Sequence, residues 1–453
     1  MGAQGYYQKT NEQTLPLILL SKHQYTNELN DLYIKNCMHN QQFTAKLGEI
    51  CLITDEQGCL RKIFVGLDNG TEAQALASVV NKLPPRAYAL TSPVARQAQV
   101  IWSLAQYRFN RYKKTASPVR ILAIGEHEYQ SIVAEANAVF FVRDLINTPA
   151  NDLGPNQLSE ITSHLASQYN ADFRQWIGSD LLLENYPAIH AVGRASVDQP
   201  RLLSLSWGKD DDPLVTLVGK GVCFDSGGLD IKPSAAMRHM KKDMGGAAQV
   251  LGLAQWLMTI ALPIRLHVLI PVVENAIAGN AFRPGDVLTM RNGLTVEIDN
   301  TDAEGRLILA DALVKACEER PQLLIDFATL TGAARTAVGT EISAMFSNDD
   351  QLAQGIYQAS LTVSDPVWRL PLFNGYQSML DSSIANMANS SSSPYAGAIT
   401  AALFLQHFIS QDTPWVHFDI MAWNVSSKPG KPEGGEAMGM QAVGHYLFSR
   451  FLP

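Results

Sequence analysis

Basic blocks, long apolar runs, paired cysteine motifs and low-complexity tracts are all scarce in this chain, and each absence removes a class of function. No apolar run approaches the ~18 residues of a membrane-spanning helix, so no helical span is expected. Lysine and arginine total 35 against 43 aspartates and glutamates, and the charges are dispersed. A net charge of −8 argues against a general binder of nucleic acid or of an anionic membrane. Five cysteines (37, 51, 59, 223 and 317) show no C-x-x-C spacing. That pattern argues against a disulfide scaffold and a cysteine-based zinc site, and it fits a reducing cytoplasm. The start, MGAQGYYQKTNEQ, has no basic stretch leading into an apolar core, so no secretory signal is expected. Gly2 fits an N-myristoylation pattern, but Tyr6 stands where Ser or Thr is needed. There is no G-x-x-x-x-G-K-[ST] loop to cradle phosphates, which removes P-loop phosphoryl transfer.

What is present is an ordinary globular composition, 46% hydrophobic and 17% charged over 453 residues, long enough for two domains. Residues 1–140 read as a small α/β domain, with strands at 17–20, 63–65, 87–90 and 119–124 and helices at 72–83 and 94–112. Its polar residues are unclustered, which points to an accessory or assembly role. A helix over 131–146 leads to Asn147-Thr148-Pro149, a turn-forming junction. Residues 141–453 then alternate: helix 157–169, strands 188–192, 202–207 and 214–218, helix 245–261, strands 265–272 and 294–298, helix 307–319, strand 323–327, helix 399–409 and strand 416–420. The expected fold class is therefore α/β, a small N-terminal α/β domain plus a larger C-terminal one with a mostly parallel central sheet flanked by helices. Ligands in such sheets bind beyond the carboxyl ends of the strands.

Chemistry-bearing residues gather at such ends. Asp302, Glu304 and Arg306 occupy alternate positions in Asn300-Thr-Asp-Ala-Glu-Gly-Arg-Leu307, and in an extended segment all three point one way. Alone, such a segment also fits a solvated charged turn. Upstream, Lys220 leaves the strand 214–218, Asp225 precedes Ser226-Gly227-Gly228, Lys232 follows, and Asp243 opens the helix near residue 245. Singly, Asp243 reads as an N-cap and Lys220 as a solvated strand end. Together these carboxylates form a set of hard oxygen donors suited to Zn, Mn or Mg, with bridging groups for a pair of ions. Two ions about 3.5–4 Å apart share a hydroxide and aim it at a carbonyl.

The segments VGKGVCFDSGGLDIKPS, MKKDMGGAA and NTDAEGRLILADAL resemble the signature segments of the leucyl aminopeptidase (cytosol aminopeptidase) family. NTPAND near 147, RPGD at 283–286, FATLTGA at 327–333 and AGAITAALFL at 396–405 extend the resemblance over about residues 140–450. It implies a C-terminal catalytic domain and a metal-dependent aminopeptidase that acts on peptides with a free N-terminus. Asp225 and Glu304 would bridge two divalent ions, Zn or Mn, with Mg or Co as further candidates. Lys220 and Asp243 would complete the tighter site and Asp302 the more exchangeable one. Lys232 would polarise the scissile carbonyl, and Arg306 would hold a bicarbonate acting as general base toward the bridging water. Thr329 and Leu330 would line the substrate channel and Met240 the side-chain pocket. The resemblance also implies a cytoplasmic homohexamer. The alternative reading is a non-catalytic hexameric scaffold or DNA-binding regulator that keeps the fold.

Several residues depart from the family pattern. Lys242 stands where relatives commonly carry an apolar residue, Asp230 adds a carboxylate after the double glycine, and Met421 and Trp423 are expected to reshape the pocket. Asp286 and His417 are read as a turn former and a structural histidine.

Overall fold

The computed structural model describes residues 2–10, 14–27, 29–115 and 117–452. The chain divides into two compact units: Met1–Phe140 with Ser426–Glu433, and Phe141–Val425 with Gly434–Pro453. The first holds a six-stranded sheet in the order 7–9, 121–124, 87–90, 15–20, 60–66, 50–54. All its pairings are parallel except the last, at the edge.

The second unit is built on a sheet whose centre is the strands Trp415–Asp419, Leu323–Ala328, Leu214–Gly219 and Arg265–Asn275, in that order and all parallel. Antiparallel strands flank them, Ser343–Ser347 on one side and Arg201–Trp207 followed by Asp172–Ile177 on the other. The central strands are nearly continuous runs of Leu, Val, Ile and Phe because helices cover both faces. Alternation along one strand shows this. Val218 packs into the cluster containing Leu307, Ile308 and Leu313 of the helix Glu304–Glu318. Gly219 instead faces Ala247 and Val250 of the helix Gly245–Thr259. With parallel strands, one end of the sheet collects Gly219, Asn275, Ala328 and Asp419.

Two expectations are corrected. Residues 188–192 are not a strand but part of the helix Pro187–Gly193. A short run that is apolar apart from His190 does not distinguish a strand from a buried helix. Here Pro187 presets the first helical turn, and the buried Asp311 carboxylate accepts the N–H groups of Ala188 (2.8 Å) and Ile189 (3.3 Å). Secondly, residues 302–306 are not extended. The helix begins at Glu304, so successive residues turn by about 100°. Glu304 and Arg306 therefore leave the helix on different sides. The expected strand 294–298 is a short one, Thr295–Glu297, in a separate three-stranded sheet.

Candidate active site

The parallel strand ends open onto a cavity of about 380 Å³ lined by Lys220, Asp225, Lys232, Asp243, Asp302 and Arg306, among others. Lys220 is the first residue past its strand, pinned by its backbone N–H to the Phe327 carbonyl (3.0 Å) and by its own carbonyl to the Ala247 N–H (2.9 Å). Its ammonium lies 2.9 Å from Asp243 Oδ2, 3.0 Å from Glu304 Oε1 and 3.1 Å from the Thr329 carbonyl. Asp225 ends the strand Gly221–Asp225. Its Oδ1 accepts from the Gly227 N–H (2.9 Å) and Asn275 Nδ2 (2.8 Å), while Oδ2 faces Lys232 Nζ at 2.8 Å. Gly227 and Gly228 both have positive φ, +90° and +66°, which lets the backbone double back and carry Lys232 to Asp225 and Asp302. Asp243 Oδ1 accepts from Thr329 Oγ1 at 2.7 Å.

Four carboxylates thus surround two ammonium groups. Asp225, Asp302 and Glu304 each offer an oxygen within 4.8 Å of the others. Burial, followed by repulsion from Asp225, pushes Glu304 up to about 8 and Asp302 to about 6. Burial opposes the charge of Lys220, but Asp243, Glu304 and Asp225 outweigh it and raise the pKa. Lys232 is raised in the same way against burial, by Asp225, Glu304 and Asp243. Asp243 Oδ2, Asp302 Oδ1 and Glu304 Oε1 are buried, and among the described residues each faces only one of these two ammonium groups.

Arg306 lies on another side of the helix, buried, with Nη1 donating to the Asn389 carbonyl at 2.7 Å. Its Nε has no hydrogen-bond partner, and burial lowers its pKa to about 10. Met240, Thr329 and Leu330 line the cavity as well.

The catalytic-domain profile of the cytosol aminopeptidase family matches residues 140–444, and that of the M17 aminopeptidase N-terminal domain matches residues 15–125. The chain belongs to the cytosol aminopeptidase family. It is 40% identical over 373 residues to a probable cytosol aminopeptidase of Syntrophotalea carbinolica, covering 78% of this chain and 75% of that one. It is 43% identical over 321 residues to Peptidase B of Pectobacterium carotovorum, covering 69% and 74%. The fold superposes on the crystal structure of the cytosol aminopeptidase from Coxiella burnetii with a TM-score of 0.95 at 43% identity, over 99% of this chain and 100% of that one. It also matches the bottromycin maturation enzyme BotP in complex with Mn, with a TM-score of 0.87 at 33% identity over 97% and 100%. The protein is accordingly a metal-dependent aminopeptidase acting on peptides.

The residues fit the family's pair of metal ions. The donors are carboxylate oxygens and one lysine, three carboxylates bring oxygens within 4.8 Å of one another, and the repulsion that raises Glu304 and Asp302 is relieved by cations placed between them.

Sequence reasoning missed the residues that hold this arrangement. Asn275, fully buried, joins Asp225 to the Thr301 carbonyl (3.1 Å). Asn389, fully buried, accepts the N–H groups of Asp299 (2.8 Å) and Asn300 (3.1 Å) and donates to the Asn300 carbonyl (2.7 Å). Asp419 accepts the N–H groups of Leu330 (2.9 Å) and Thr331 (3.0 Å) and fixes the Thr329–Thr331 turn. Asp230 binds Thr301, through its N–H (2.8 Å) and hydroxyl, and is not in the cavity lining. Met421 and Trp423 are also outside that lining, and Trp423 packs against His239 and Lys241. Asp286 accepts the Arg283 N–H of its own turn. His417 pairs with Asp326 at 2.6 Å in the core.

Proposed function

We propose that the chain releases N-terminal residues from peptides at this cavity, with Asp225 and Glu304 bridging two divalent ions, Lys220 and Asp243 completing one site and Asp302 the other. The observation that carries the assignment is the convergence of the Asp225, Asp302 and Glu304 oxygens within 4.8 Å of one another, beside Asp243, around Lys220 and Lys232. The ions, Zn or Mn, supply Lewis acidity toward the scissile carbonyl and lower the pKa of water. Lys220 serves as a ligand only as the neutral amine, which a neighbouring divalent cation enforces by opposing the ammonium form. Lys232 at the rim polarises the carbonyl and stabilises the developing oxyanion. Arg306 lines the cavity and would hold an anion there; a bicarbonate so held would supply a general base toward the attacking water. A substrate with a blocked amine has no lone pair to offer, so the activity is that of an exopeptidase.

We also read the protein as a cytoplasmic homohexamer, with the N-terminal unit in assembly. The five free cysteines support the location, and the exposed Trp368, Phe373, Ile384 and Tyr395 supply apolar surface for an interface. Light scattering on the purified protein tests the assembly. The site is tested with leucine amide and its N-acetyl form, each with Zn and with Mn. Hydrolysis of the free amine alone, abolished in Asp302→Ala and Glu304→Ala, is the expected result. Undiminished turnover in either variant overturns the assigned ligands.

A further inference from the structure

Besides Arg306, two more cations line the same cavity and have no carboxylate of their own, Lys242 and Arg335. Lys220 and Lys232 each face two acids. Lys242 is only 3% exposed, yet it forms no hydrogen bond or ion pair through its side chain among the described residues. The charged groups around it are Asp243 and Asp419 on one hand and Arg335 and Lys220 on the other. Both acids are engaged elsewhere. Asp243 faces Thr329 Oγ1 and Lys220, and Asp419 holds Leu330, Thr331 N–H and Thr331 Oγ1 (2.6 Å). Arg335, on the short helix Gly332–Val338, lines the cavity with Lys242 and likewise makes no ion pair among the described residues.

Burying an ammonium group without a counter-ion is costly, and placing a second cation beside it adds repulsion. An apolar side chain at position 242 would remove that cost. The arrangement is stabilised when an anion enters the cavity. Metal ions do not answer this need, because they add positive charge on the same side.

We propose that Lys242 and Arg335 form a carboxylate-binding subsite, so that this aminopeptidase selects peptides bringing a second carboxylate into the pocket. The inference rests on the aminopeptidase reading of the cavity. Two sources present that group: the side chain of an acidic first residue, or the free C-terminus of a dipeptide. A charge-assisted hydrogen bond in such a site changes kcat/KM by about 10- to 100-fold.

The test compares kcat/KM of the metal-loaded protein on Leu-Ala-NH2, Glu-Ala-NH2, Lys-Ala-NH2 and Leu-Ala. The expected result is a preference for Glu-Ala-NH2 or for Leu-Ala over Leu-Ala-NH2, and discrimination against Lys-Ala-NH2. The preferred substrate identifies the source of the carboxylate. Lys242→Met and, on the exposed helix, Arg335→Gln then lower the ratio of the preferred to the neutral substrate by about 10-fold or more. The Arg335 variant keeps the test decisive if Lys242→Met does not fold. Turnover of Leu-Ala-NH2 with no preference for either carboxylate, or a ratio unchanged in Arg335→Gln and in any folded Lys242→Met, overturns this proposal and leaves the aminopeptidase reading standing. Hydrolysis of none of the four overturns both.

Discussion

Gly305 offers a test in which local propensity and tertiary contact predict opposite outcomes. It is the second residue of the helix Glu304–Glu318. Helix propensity alone predicts that Gly305→Ala stabilises the protein, by up to about 0.5–1 kcal/mol. The packing predicts damage at the site. A Cβ at 305 would come within 2.6 Å of both Lys220 Cε and Nζ, where ordinary contact starts at 3.4 Å. The lysine tip must therefore recede by about 0.8 Å. It has little freedom to do so, since Nζ is held at 2.9–3.1 Å from Asp243, Glu304 and the Thr329 carbonyl. A misplacement of about 1 Å in a catalytic constellation costs on the order of 10²-fold. The expected outcome is a melting temperature within a few degrees of the parent, with kcat/KM on leucine amide reduced about 100-fold. Metal content measured on the same samples locates the damage at Lys220. Activity within about threefold of the parent, a loss too small for a 1 Å error, would show that the lysine tip is not needed where it lies.

Lys232→Ala is expected to lower kcat by on the order of 10²–10³ with metal content retained, the scale of losing an oxyanion donor. An unchanged kcat refutes that role. Asn389→Ala orphans the part-buried N–H groups it serves and should cost about 1–3 kcal/mol in denaturant unfolding, together with activity. Metal affinity should weaken as the pH is lowered from about 8 to about 6, because Glu304 and then Asp302 take up protons that compete with the ions. A flat Mn-binding profile over that range would contradict it. His417 gives a pH dependence of stability. Burial opposes its charge, but Asp326, the hydrogen bond to it and Asp419 outweigh burial and the repulsion from Arg306, so the folded pKa is raised. Protonation is then tighter in the folded state. The stabilisation is fully present below the ordinary histidine value near 6.5 and fades as pH rises through the raised one. The stability difference between the parent and His417→Gln should accordingly shrink on the alkaline side, measured by denaturant titration.

The fold and the gathering of the candidate ligands at one end of the sheet were legible because both rest on local signals. Runs such as Leu214–Val218 followed by Gly-Lys mark a buried strand and its end, and parallel connections bring such ends together. Ala188–Val192 was misread because four of its five residues are buried, and so short a run shows no period that separates helix from strand. The strand Ser343–Ser347 and the helices Asp350–Val363 and Met440–Phe451 fell outside the sequence reading altogether. Asn389 had no signal either. It precedes a serine-rich loop, and its partners lie 83–90 positions away.

By itself the sequence determined the chemistry available: which acids, lysines and arginine stand at strand ends and helix starts, in the order of a known family. Only the tertiary structure decided how they face each other. It put Glu304 and Arg306 on different sides of a helix, set Lys220 between two carboxylates, and left Lys242 buried without a counter-ion. Residue type and spacing fix local geometry. Which charges end up paired depends on contacts made across the sheet, between residues tens of positions apart.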